Sequence, residues 1–98
     1  MAIVDLSVVP VGTKSPSVSE YVRKCVQIIK KSGLKYQVGP MGTSIEGELS
    51  DIFELILQIH KAQFKLGAKR ILTTIKIDER RDKKQTMEDK VKAVTERK

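Results

Sequence analysis

The stretch Pro40 to Gly47, P-M-G-T-S-I-E-G, places two hydroxyls and a carboxylate on a glycine-bearing turn and on the strand that leaves it. Thr43, Ser44 and Glu46 offer hydrogen-bonding groups suited to a polar ring or a cation. Gly39, Gly42 and Gly47 let the backbone pass where a Cβ would obstruct it. The competing reading is a hairpin whose polar side chains face water. His60 and Gln63 form a second polar pair, set inside the apolar arc of a helical pattern where aliphatic residues would pack more simply. Buried there, each needs a hydrogen-bond partner, so the two are either satisfied core groups or the lining of a polar pocket.

Catalytic chemistry finds little support in the same residues. His60 is the single histidine and Cys25 the single cysteine, so neither a zinc site nor an internal disulfide can be assembled within one chain. Cys25 sits in a helical pattern and reads as an inert core thiol. Ser17, His60 and Glu46 make a Ser-His-acid set on paper, but no G-x-S-x-G elbow positions a serine. The run G-T-K-S at Gly12 to Ser15 looks like part of a phosphate loop, yet it lacks the upstream glycine at the required spacing. Asp5 with Glu46 or Glu48 would give a carboxylate pair on an open sheet face, where solvated strand carboxylates are the commoner outcome. The expectation is therefore a protein with no catalytic residues, no metal and no cofactor.

The elements that must position these groups follow from periodicity. Ile3 to Val9 alternates, with Val4, Leu6 and Val8 on one face and Ile3, Asp5, Ser7 and Val9 on the other, and Pro10 and Gly12 end it. Tyr21, Val22, Cys25, Val26 and Ile29 then take three-four spacing, preceded by Ser17 as a cap with Glu20 three residues later and stopped by Gly33. Lys35 to Val38 and Thr43 to Glu48 read as two short strands, and Ser50 or Asp51 opens a helix that runs to about Gly67. Arg70 to Ile77 alternates again. The order strand, helix, strand, strand, helix, strand predicts an α+β, ferredoxin-like βαββαβ fold, with a four-stranded antiparallel sheet and two helices on one face. After Asp78 a charged loop leads to Thr86, where Met87, Val91 and Val94 form the stripe of a short C-terminal helix reaching about Arg97.

At 98 residues the chain is expected to form one domain, with 78–98 as its charged loop and terminal helix or tail. No apolar run approaches the roughly 20 residues that cross a bilayer, and the start of the chain lacks the basic region of a secretory signal, so a cytoplasmic location is expected. The net charge of +7 raises the question of nucleic acid. Eleven basic and six acidic residues precede Asp78, and eight and six follow from there, so the excess is spread out. With four aromatic side chains and no stacking pattern, a nucleic-acid partner is not indicated. The second helix is apolar over more than half its circumference through Leu49, Ile52, Phe53, Leu55, Ile56, Leu57, Ile59, Phe64 and Leu66, which predicts burial against another copy of the chain.

Four patches together resemble one known family. They are V-V-P-V-G-T with S-P-S-V-S-E-Y-V, M-G-T-S-I-E-G, I-H-K-A, and R-I-L-T-T-I-K-I-D-E-R-R-D-K, and they cover almost the whole chain. The chain is similar to the small thiamine-binding proteins, formerly an uncharacterised conserved group. That resemblance implies a ferredoxin-like fold, association into dimers and tetramers, and non-catalytic binding of thiamine or its hydroxymethylpyrimidine moiety. For such a ligand, Thr43, Glu46, Ser17 and Ser19 are the expected polar contacts, Met41 the adaptable apolar one beside Val9 and Pro10, and His60 a lining group. The alternative is a regulatory or assembly protein whose sheets pair without a ligand.

Overall fold

The computed structural model describes residues 1–12 and 19–95. Seven elements follow one another: β1 (Ala2–Pro10), α1 (Ser19–Ser32), β2 (Lys35–Val38), β3 (Thr43–Gly47), α2 (Leu49–Lys65), β4 (Ile71–Glu79) and α3 (Met87–Thr95). The strands form one sheet in the order β2-β3-β1-β4, with every neighbouring pair antiparallel. This is the expected ferredoxin-like arrangement. β1 lies at its centre because its alternation can serve two neighbours at once: Val4 pairs with Ile45 on one side and Ile77 on the other, and Leu6 with Thr43 and Ile75.

Val4, Leu6 and Ile45 of the sheet meet Cys25 and Ile29 of α1 and Ile52, Leu55, Ile56 and Ile59 of α2 in one buried cluster. Each fully buried isoleucine there contributes roughly 1.5–3 kcal/mol over its exposed state. Burial pushes the Cys25 thiol up to about 11, so it stays protonated and unreactive, as its helical setting predicts. α1 stops where Gly33 takes a φ of +78°, a left-handed conformation that a side chain would oppose.

Several boundaries differ from the periodic reading. α2 is capped by Glu48, with no side-chain cap bond, instead of starting at Ser50 or Asp51. β4 runs on to Glu79, because Asp78 and Glu79 complete the ladder opposite Ile3 and Ala2. Its length is set by the partner strand and not by its own composition. The proposed cap Ser17 lies outside the described residues. α3 does not continue the core. It packs on the opposite face of the sheet, with the Thr86 N–H donating to Asp89 Oδ2 at 3.0 Å and the Asp89 N–H to Thr86 Oγ1 at 3.1 Å, a reciprocal box at its start.

Candidate functional site

The β1–β3 ladder ends where Leu6 meets Thr43, while β1 runs on through Ser7, Val8 and Val9 to Pro10, paired with β4 alone. One backbone edge of β1 is therefore open over its last four residues among the described residues. The turn between β2 and β3 closes tightly just before that point. Its Gly39 N–H donates to the Gly42 carbonyl at 2.8 Å, and a Cβ on Gly42 would lie 2.8 Å from the Leu6 carbonyl oxygen, so only glycine fits without a backbone shift. Met41, at the tip of this turn, is 87% exposed, whereas Thr43 is buried on the helix-facing side of the sheet.

The start of α1 and the C-terminal half of α2 reach the same end of the sheet. His60 Nδ1 lies 2.7 Å from Thr73 Oγ1, and Thr73 is the cross-strand partner of Val8. Phe64 meets the imidazole edge-on, with ring centroids 5.4 Å apart. Gln63 is 1% exposed; its Nε2 donates to the Tyr21 carbonyl at 3.2 Å and so ties α2 to the first turn of α1. Its Oε1 is buried with no hydrogen-bond partner among the described residues. An orphan amide oxygen in such a place costs about 1–3 kcal/mol unless something supplies a donor.

Of the six residues expected to touch a ligand, Ser19, Met41, Thr43 and His60 share this end of the molecule, although β1 separates the strand of Thr43 from that of Thr73, the partner of His60 on α2. Ser17 falls outside the described residues. Glu46 is not brought to the others. Three positions beyond Thr43 on the same strand, it points to the opposite face, a parity already present in the sequence. There it is 7% exposed, accepts the Met87 N–H at 2.8 Å through Oε1, and has Lys35 Nζ 3.4 Å from Oε2. Lys35 also bonds Glu88, and that bond first, aided by the charges of Glu46 and Glu88, raises its pKa. Glu46 is thus the buried anchor of α3. Gln63, absent from the expected contacts, brings to this end an amide oxygen with no hydrogen-bond partner among the described residues; the signal for it was its position inside the apolar arc of α2.

This end gathers a carboxamide, an imidazole hydrogen-bonded to a threonine, an open strand edge and an exposed methionine. Among the described residues, its hydroxyl–imidazole contact is that of Thr73 Oγ1 with His60 Nδ1. The comparisons with known proteins fit this arrangement of elements. The UPF0045 protein YqgV of Bacillus subtilis is 49% identical over 98 residues, covering 96% of this chain and 94% of that protein. A UPF0045 protein of Methanothermobacter thermautotrophicus is 40% identical over 99% of both chains. Among solved structures, MJ1052 of Methanocaldococcus jannaschii matches with a TM-score of 0.88 at 38% identity, covering 97% of this chain and 96% of its own. A Thermotoga maritima protein proposed to act in thiamine biosynthesis or salvage matches with a TM-score of 0.83 at 28% identity, over 94% of this chain and 96% of that one. Residues 4–95 match the profile of the thiamine-binding proteins, and with relatives this similar over nearly their full length the chain belongs to that family.

Proposed function

We propose that this protein binds thiamine, or its hydroxymethylpyrimidine moiety, without transforming it, at the sheet end lined by Ser19, Met41, Thr43, His60 and Gln63. The observation that carries the reading is the buried Oε1 of Gln63, which has no partner among the described residues, because the exocyclic amine of an aminopyrimidine is the kind of donor it lacks. Family membership supports the choice of ligand. Val8 and Pro10 lie along the open strand edge and Met41 over the glycine turn, which provides apolar contact for a ring. The non-enzymatic reading rests on the family, which is one of binding proteins. In this reading the protein works as a cytoplasmic homo-oligomer. Phe53, Leu57 and Phe64 on the outer side of α2 are each more than 40% exposed, and Ile75 and Ile77 project beside them from the edge strand β4, a surface that a second copy would cover.

Calorimetric titration with thiamine, hydroxymethylpyrimidine and thiamine phosphate tests the binding. Saturable binding of hydroxymethylpyrimidine is the expected result. No heat and no thermal stabilisation with any of the three would leave the assembly reading, which the exposed α2 and β4 surface favours independently of a ligand. Chromatography of thiamine after prolonged incubation should return it unchanged.

A further inference from the structure

A cavity lies at the end of the sheet away from the glycine turn, on its other face. Ile3 of β1 and Asp78 of β4, cross-strand partners, form its base together with Met1, and the loop from Arg80 to Thr86 and Lys90 of α3 close its sides around about 250 Å³. Four cationic side chains line it, Arg80, Lys83, Lys84 and Lys90, against one carboxylate, Asp78. Two of the four are already committed. Arg80 grips Asp82 through Nε at 2.9 Å and Nη2 at 2.5 Å and reaches Gln85 Oε1 at 3.4 Å, which braces the loop, while Lys90 pairs with Asp78. Lys83 and Lys84 form no ion pair among the described residues. The first-turn donors of α3 at Thr86, Met87 and Asp89 are taken by Asp89, Glu46 and Thr86, so the charge available to a ligand resides in the lysines and not in the helix end.

We infer that this cavity is an anion site for a small organic phosphate: the phosphate lies between Lys83 and Lys84, and the apolar body rests on Ile3, Met1 and the aliphatic stems of the lysines. Two adjacent, unpaired ammonium groups match the charge of a phosphate dianion better than that of a single carboxylate. The volume admits a ring-sized body. The site is distinct from the thiamine site proposed above, since Ile3 and Asp78 lie five rungs of the β1–β4 ladder from Val8 and Thr73, on the opposite face.

The test is calorimetric titration of the full chain with phenyl phosphate, with inorganic phosphate and phenol as its two halves and a short single-stranded oligonucleotide as competitor. Phenyl phosphate should bind one per chain and more tightly than either half. Replacing both lysines, Lys83→Gln with Lys84→Gln, should weaken it roughly tenfold or more, whereas Lys30→Gln with Lys31→Gln, an equal change of net charge on α1, should leave it unchanged. Hydroxymethylpyrimidine titrated into the Lys83/Lys84 double variant should bind as in the parent, which separates this site from the other one. Three results would each overturn the inference: no saturable binding of phenyl phosphate, equal weakening in both double variants, or an oligonucleotide that binds the lysines and is not displaced by phenyl phosphate.

Discussion

Gln63 concentrates the argument at the scale of single residues. Its Nε2 is used and its Oε1 is not, so replacing the side chain with leucine of similar volume removes one hydrogen bond and one orphan at the same time. Gln63→Leu is therefore expected to change the stability of the ligand-free protein by less than about 1 kcal/mol in chemical denaturation, while calorimetry records a loss of hydroxymethylpyrimidine binding. A stability loss with binding intact would return Gln63 to the core. Sequence reasoning located Gln63 and His60 correctly on the inner arc of α2, because helical periodicity is a property of the chain itself. It could not pair His60 with Thr73 or Glu46 with Met87, contacts 13 and 41 residues apart that depend on how the strands close. The opposite orientation of Thr43 and Glu46, by contrast, was legible from their odd spacing alone.

At the scale of elements, α3 is held by a carboxylate and a few surface charges more than by apolar area: Met87 is its one buried residue, and Val91 and Val94 remain exposed. Glu46→Ala strands the Met87 N–H and should cost roughly 1–3 kcal/mol, seen as faster hydrogen exchange throughout α3 with β1 and β3 still protected. Glu46→Gln keeps an acceptor and should show a clearly smaller effect. Protection of α3 that survived Glu46→Ala would mean that the helix is anchored elsewhere. The start of this helix is also sensitive to acid. The Thr86 backbone N–H, and next its hydroxyl, hold the Asp89 carboxyl below its ordinary value, and Arg80 beside Asp82 brings that one down to about 2. Because folding depresses both, the unfolded chain takes up protons first. Their stabilising contribution is complete above the ordinary value near 3.9 and drains away as the pH falls through the folded values. Protection of α3, measured relative to the intrinsic exchange rate at each pH, should accordingly fall from about pH 4 downward, and Asp89→Asn should blunt that trend. The order of all seven elements was readable from periodicity and turn residues; the ends of β4 and α2 were not, since cross-strand partners and backbone geometry decide them.

At the scale of the whole molecule, the outer stripe of α2 and the unpaired edge of β4 share one side, and a charge placed there should distinguish assembly from folding. Leu57 is 54% exposed, so Leu57→Glu should alter the stability of one chain by no more than about 0.5 kcal/mol. Light scattering at micromolar concentration should report an oligomer for the parent and a monomer for the variant. A parent that is already monomeric would remove the need for a partner on this side. The central place of β1 carries a further consequence, for how the chain is made. β1 is synthesised first, yet its ladder with β4 closes only when Ala2 meets Glu79. While the ribosome is still adding β4, the middle strand of the finished sheet has nothing on one side, and its apolar face depends on helices that have no complete floor to pack on. The nascent chain is thus obliged to keep its central strand half-paired until β4 has been made.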